Sequence, residues 1–359
     1  MRGIKTAIGI AAVGLLTIAA TAAADTGGWS AGQSASTGNL YHPSMVEDSN
    51  AHEHVVARGD TGIWYITDKS GNFVRTRITQ DALHRSAVNP LIAVNAGGTL
   101  TVVYAVDSDT NTCGSVGLRY IVRTGGSWSS QTVIPGTKCE TATGLLVHGS
   151  KIYLATYYQN PGNGAARVTY TTNASGSWTH VVVASGLSKG THISSASLAT
   201  YDGKPMLAYI KHNHVIYARG LTSTGSFIHE TAAATSGSAY KQPSVAINPN
   251  NDWPMTVWAQ SDGTHYAYRN ANGWYSYRVM DGSARALLAF DSTGHGHIAA
   301  ADGNGGLWYA IRSGGVWNKA HVDSHIVSDL GGIGFGDHVE ISYIRGASHL
   351  YWASSYSGC

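Results

Sequence analysis

The sequence predicts an all-β chain: a seven-bladed β-propeller of four-stranded antiparallel blades, with the last blade closed by the N-terminal strand of the mature protein. Three observations carry this expectation. First, Gly306 to Trp317, GLWYAIRSGGVW, alternates along a strand, turns at glycine and ends on tryptophan, the pattern of a β-hairpin with an aromatic anchor. Second, the anchors Trp29, Phe73, Trp128, Trp178, Phe227, Trp274 and Trp317 follow one another at 44, 55, 50, 49, 47 and 43 residues, a period that signals a repeat architecture. Third, the final repeat, 338–359, stops after its third strand, while Thr26 to Ser30, TGGWS, copies the hairpin segment TGGSWS at 124–129 apart from one serine. A strand donated by the N-terminus closes the ring and removes a free sheet edge.

In chain order, residues 1–24 read as an export signal. Arg2 and Lys5 form a basic start, an uncharged apolar run follows, and Ala22, Ala23 and Ala24 offer a small-residue cleavage site before Asp25. The mature chain, 25–359, is then expected to be secreted as a single propeller; a retained membrane anchor is the alternative reading. The first full repeat, HPSMVEDSNAHEHVVARGDTGIWYITDKSGNF at 42–73, parallels QPSVAINPNNDWPMTVWAQSDGTHYAYRNANGW at 242–274 with one residue fewer. The segments at 90–107, 197–211 and 287–302 each supply two strands around a polar turn, and the hairpins Tyr120 to Trp128, Tyr170 to Trp178 and Tyr217 to Phe227 complete the intervening blades. No helix and no second domain are expected.

Loss of Arg2 and Lys5 leaves 21 Lys and Arg against 21 Asp and Glu, a neutral mature chain that lacks the basic stripe of a nucleic-acid binder. With 12% charged residues, 44 Gly and 20 Tyr, the composition suits an extracellular all-β protein rich in tight turns. Three cysteines allow one internal disulfide, and Cys113 with Cys139, on loops at the same end of neighbouring blades, is the expected pair.

The hairpins resemble the bacterial neuraminidase repeat, or Asp-box, of sialidase-like propellers, whose pattern is Ser, any, Asp, any, Gly, any, any, Trp. Thr67 to Phe73 comes nearest, with compressed spacing; the other hairpins keep the glycine and the aromatic but lack the aspartate. The segments at 51–66 and 291–310 are similar to repeats of the seven-bladed polysaccharide lyases and related glycosidases. This resemblance implies the fold across the mature chain. The Phe-Arg-Ile-Pro or Tyr-Arg-Ile-Pro segment of sialidases is absent, and its nearest relative, Arg77-Ile78-Thr79, falls in a fourth strand.

Ligands of propellers usually bind where first strands begin and second strands end, over the central channel. Second-strand ends give Arg58, Asp107, Gln159, Lys211, Gln260, Asp302 and Arg345; first-strand starts give His42, Asn89, Lys241, Gln242 and Arg285. These vary between blades while the framework does not, as one asymmetric site on a repeated scaffold requires. Trp258 lies on the same strand face as Gln260 and is expected to border the site, whereas the periodic tryptophans are expected to pack blades together. Hydrolysis needs two carboxyl groups, for which Asp107, Asp302, Glu140 and Asp60 are available. Elimination from a uronate needs a cation, from Arg58, Arg345, Arg285 or Lys241, and a base, for which His42 is placed. The expected catalytic set is His42, Arg58, Asp302 and Arg345, and the expected partner is an extracellular glycan, in particular an acidic polysaccharide, met by a monomer. A lectin-like module that binds without cleaving is the alternative. Histidine pairs at 52 and 54 and at 295 and 297 mimic half of a zinc site, but their equivalent places in two repeats favour a structural role, and His212 with His214 lies in a turn. No metal is expected, and the cofactor is left open.

Overall fold

The computed structural model describes residues 29–33, 38–70, 73–79, 89–106, 116–159, 165–187, 197–235, 239–281, 284–302, 305–335, 338–346 and 348–355. The segment 1–24 therefore lies outside the described residues. Seven antiparallel sheets form seven blades, in the order the repeats predict. Blade 1 contains β2 (Leu40–Glu47), β3 (Glu53–Gly59), β4 (Gly62–Thr67) and β5 (Val74–Thr79); blade 2 contains β6 (Leu91–Val94), β7 (Leu100–Val106), β8 (Gly117–Thr124) and a fourth strand split into β9 (Ser127–Trp128) and β10 (Thr132–Val133). Blade 3 is β11 (Glu140–His148), β12 (Lys151–Gln159), β13 (Ala166–Thr172) and β14 (Thr179–Leu187), and blade 4 is β15 (Ser197–Tyr201), β16 (Lys204–Lys211), β17 (His214–Gly220) and β18 (Phe227–Ala234). Blade 5 is β19 (Ala239–Ile247), β20 (Pro254–Gln260), β21 (Gly263–Asn270) and β22 (Gly273–Met280), and blade 6 is β23 (Arg285–Phe290), β24 (Gly296–Asp302), β25 (Gly306–Ser313) and β26 (Val316–Asp323). Blade 7 joins β27 (Val327–Phe335), β28 (Val339–Arg345) and β29 (His349–Ser355) to β1 (Trp29–Gln33), with Trp29 opposite Ser355 and Gln33 opposite Tyr351. The N-terminal strand thus closes the ring by hydrogen bonds.

Each innermost strand packs on the next, in the cycle β2, β6, β11, β15, β19, β23, β27 and back to β2. Second strands are covered on both faces by neighbouring blades, so β7 and β20 are buried along their whole length and read as continuous apolar runs. Outer strands such as β22 and β26 are largely exposed or half-buried and turn buried at their final residues.

The periodic aromatics explain the closure. Tyr65 of blade 1 packs on Trp128 of blade 2, Tyr120 on Trp178, Tyr170 on Phe227, Tyr217 on Trp274, and Tyr266 on Trp317. Tyr309 then meets Trp29 from the other end of the chain at 4.9 Å, and Trp352 stacks on Phe73 at 4.2 Å. The seven pairs make a complete circuit, in which each anchor fills the gap beneath the preceding blade rather than its own hairpin. Such aromatic pairs, edge-to-face, tilted or stacked, add about 0.5–1.5 kcal/mol each beyond area burial.

Backbone chemistry fixes the hairpin ends. Gly314 and Gly315 at φ 60° and 85°, like Gly125 and Gly126 at 59° and 92°, provide the two left-handed residues of a tight turn whose twist matches the strands.

Candidate functional site

Antiparallel order brings the starts of first strands, the ends of second strands and the starts of third strands to one rim of the propeller. Inner strands are irregular there: register shifts fall between Tyr41 and Ser44 in β2, between Tyr240 and Ser244 in β19, and between Val327 and Asp329 and between Leu330 and Gly332 in β27. His42 occupies the first of these bulges at φ 49°, a left-handed conformation that a non-glycine residue adopts only when its surroundings hold it.

Asp329 holds that histidine. Its Oδ2 lies 3.2 Å from His42 Nδ1, and its Oδ1 receives Arg285 Nη1 and the backbone N–H of Leu330. Three blades meet in this cluster: blade 1 through His42, blade 6 through Arg285 and blade 7 through Asp329. The Asp329 side chain is 15% exposed, that of Arg285 23% and that of His42 43%. Burial by itself would raise the Asp329 carboxyl, but the Arg285 charge and the His42 contact outweigh it and hold the acid well below the usual carboxylate range. An ionised Asp329 can only accept, so His42 Nδ1 donates the shared hydrogen, and in the neutral tautomer that this contact selects the lone pair is on Nε2.

The other expected residues take varied places on the rim. Arg58 lies opposite Tyr41, the neighbour of His42, and is half-buried with no ion-pair partner among the described residues. Asp302 follows Ala301, the register partner of Arg285. Arg345 belongs to a second cluster, its Nε 3.8 Å from Asp323 Oδ2. Gln260 is buried; its Oε1 accepts from Trp258 Nε1 and its Nε2 donates to Asp262 Oδ1. Trp258 is 1% exposed within the core between blades 4 and 5, so it presents no open face to a sugar. Lys211 ends β16 beside the turn formed by His212 and Asn213, where the His214 ring bonds the His212 carbonyl at 2.8 Å. Asn89 is half-buried just before β6. Lys241 and Gln242 lie within the β19 bulge and Gln159 ends β12, but their side chains are outside the described residues, as are Asp107 and Cys113 altogether.

Of the remaining acids, Glu140 opens β11 and is buried; burial raises its carboxyl, against the Thr156 hydroxyl at 2.8 Å and Arg167 at 3.6 Å. Asp60 is exposed and receives Asn39 Nδ2 at 3.3 Å. Asp329 is the rim residue that strand-end reasoning did not name. A signal existed: Asp329 follows the anchor Trp317 by 12 residues, as Arg285 follows Trp274 by 11 and His42 follows Trp29 by 13.

The paired histidines lie at the opposite rim in matching networks. His54 sits between Asp48 (Nε2 to Oδ2, 3.2 Å) and the Tyr65 hydroxyl (2.6 Å), and His297 between Asp291 (3.3 Å) and the Tyr309 hydroxyl (2.6 Å). Burial lowers both imidazoles below their ordinary value, keeping them neutral, so each donates to its aspartate and accepts from its tyrosine. In blades 4 and 5, methionine takes the histidine's place: Met206 faces Tyr217 and Met255 faces Tyr266. Among the described residues no group of three or more His, Cys, Asp or Glu side chains is arranged to hold a metal ion.

No family model and no curated protein matches the sequence. Solved structures with the same architecture include AofleA from Arthrobotrys oligospora, 12% identical, with 92% of this chain and 94% of that one aligned at a TM-score of 0.55. A polysaccharide lyase described as an ulvan lyase and bound to GlcA(1-4)Rha3S is 10% identical over 90% of this chain and 95% of that one, at 0.54. The Trypanosoma rangeli sialidase in complex with sialic acid is 8% identical, at 0.50, and the alignment spans 89% of this chain but 54% of the sialidase. At these identities the likeness is one of fold: the chain shares the propeller architecture of these structures.

Proposed function

We propose that this protein is a secreted, carbohydrate-active propeller that cleaves an acidic polysaccharide by β-elimination at the His42 centre. The observation that carries the reading is the contact of His42 Nδ1 with Asp329 at 3.2 Å, made where the inner strands of three blades meet. Asp329 fixes the imidazole's tautomer and orientation, so that Nε2 is the base that removes the proton α to a uronate carboxylate. The bond between C4 and the glycosidic oxygen breaks as the C4–C5 double bond forms, and the leaving oxygen takes a proton from solvent. Arg58, on the rung beside His42, is the cation that neutralises the uronate and stabilises the charge developing on it.

Hydrolysis fits this rim less well. It requires one carboxylic acid and one carboxylate flanking the bond, whereas Asp329 is committed to Arg285 and His42, and Glu140 is enclosed by Thr156 and Arg167 on blade 3. The lyase and sialidase folds among similar structures support a glycan as the partner. The export-like pattern of 1–24 supports an extracellular site of action, and the disulfide-bonded state of Cys139 supports its pairing with Cys113 in an oxidising compartment.

The test is a polysaccharide panel followed simultaneously for reducing ends and for the ultraviolet absorbance of unsaturated uronate. Wild-type protein is expected to produce both signals, and His42→Ala neither, with the far-ultraviolet circular dichroism of a folded chain retained. Reducing ends alone would establish hydrolysis, and binding with neither signal would establish a lectin.

A further inference from the structure

A second cluster lies at the same rim, between blades 6 and 7. Asp323, the last residue of β26, is 5% exposed, and hydrogen-bond donors surround its carboxylate. Oδ1 receives the His325 backbone N–H at 2.9 Å and lies 2.8 Å from His325 Nδ1, while Oδ2 accepts the Tyr343 hydroxyl at 2.7 Å. Arg345 Nε, at 3.8 Å from Oδ2, is close enough to feel that charge but too far to donate to it. The guanidinium stands over the Tyr351 ring, 4.9 Å from its centroid, and makes no hydrogen bond among the described residues.

Arg345 therefore carries five N–H donors, none of them bonded to a described residue, on a side chain 23% exposed beside the Tyr351 ring and the Asp323 charge. It opens onto a recess of about 490 Å³ lined by Ser324, His325, Ile326, Arg345, His349 and Tyr351. Ile326 is 56% exposed at its edge, an apolar surface beside a cation. A guanidinium whose plane is fixed by an aromatic ring presents a fork that matches the two oxygens of a carboxylate or sulfate. Because Asp323 takes the His325 Nδ1 hydrogen, the His325 Nε2 atom is turned to other partners; the imidazole is 60% exposed and suits a sugar hydroxyl.

We infer that this recess is an anion-recognising subsite that takes an acidic residue of a glycan chain, its carboxylate or sulfate ester on Arg345 and its apolar ring face against Ile326. The inference rests on the acidic-polysaccharide reading and places binding apart from the proposed chemistry. Register supports a chain spanning both: Val327 lies opposite Arg345 and Asp329 opposite Ile344, so the subsite and the His42 centre occupy adjoining rungs of β27 and β28. Arg345 is thereby a specificity-determining residue and takes no part in proton transfer.

The experiment is calorimetric titration of the full chain with three oligosaccharide probes: one of glucuronic acid, one neutral but sulfated, and one neutral and unsubstituted. Wild-type protein is expected to bind at least one charged probe, and Arg345→Gln to weaken that binding roughly 10- to 100-fold, about 1.4–2.7 kcal/mol, with the neutral probe and the unfolding midpoint unchanged. Arg345→Lys should recover little, because a point charge lacks the fork. Preference between the two charged probes distinguishes carboxylate from sulfate. Equal binding of charged and neutral probes, or full affinity in Arg345→Gln, would overturn the subsite. His42→Ala separates the two ideas: loss of cleavage with Arg345-independent binding removes the subsite and keeps the reaction, whereas retained cleavage with Arg345-dependent binding does the reverse.

Discussion

Replacing Asp329 by asparagine keeps the side chain's shape and removes its charge, which isolates what the carboxylate does for the three blades it joins. Arg285 would be left as an unpaired cation at 23% exposure. Breaking a buried pair by removing one partner costs about 3–5 kcal/mol, and the partial access of water to Arg285 brings the expected loss here to about 2–3 kcal/mol. The pH dependence identifies the source of that loss. The Asp329 carboxyl is lowered in the folded state, because the Arg285 charge and the His42 contact outweigh the opposing effect of burial. Its contribution is therefore complete above the ordinary carboxylate value, near pH ~4, and is lost as the pH falls below that value toward the folded one. Urea unfolding followed by tryptophan fluorescence should show the full gap between wild type and Asp329→Asn at pH 7 and at pH 5, and a clearly smaller gap at pH 3. Equal stability at pH 7 would refute the pairing. A gap of the same size at pH 3 would show that lost packing, not lost charge, is responsible. The same variant assayed for unsaturated uronate should lose at least about 10- to 100-fold in rate, the usual cost of removing a group that orients a functional histidine.

Three further outcomes follow from the fold. Gly306→Ala forces a side chain onto φ +112°, with the new Cβ driven into the Asp323 carbonyl oxygen, and should cost at least about 3 kcal/mol in urea unfolding. Tyr309→Phe leaves the buried His297 Nδ1 without its 2.6 Å partner and should cost about 1–3 kcal/mol, with the far-ultraviolet circular dichroism unchanged. Removing 25–33 bares the edge of β29 and takes Trp29 away from Tyr309, so the truncated chain should scatter light at concentrations where the full chain stays clear.

The blade number and the strand that closes the ring were legible because each blade is local chemistry, a hairpin with its glycine turn and aromatic anchor, repeated at a readable period. Even Trp29 could be assigned to the last blade, since TGGWS resembles another hairpin of the same chain. The tertiary structure decided which residue each anchor touches: Tyr309 and Trp317, eight residues apart in one hairpin, face different neighbours, Trp29 and Tyr266. The rim shows the same division. His42 and Arg285 could be placed by strand position, but Asp329, 287 residues from His42, joins them because three inner strands converge there and the bulges of β2 and β27 reset the register. Trp258, on the right strand beside Gln260, is buried by the packing of blade 5 on blade 4. The sequence by itself determined the repeat, because strand period and turn chemistry act over a few residues. Only the tertiary structure decided which side chains meet at the candidate site, because they belong to blades at opposite ends of the chain.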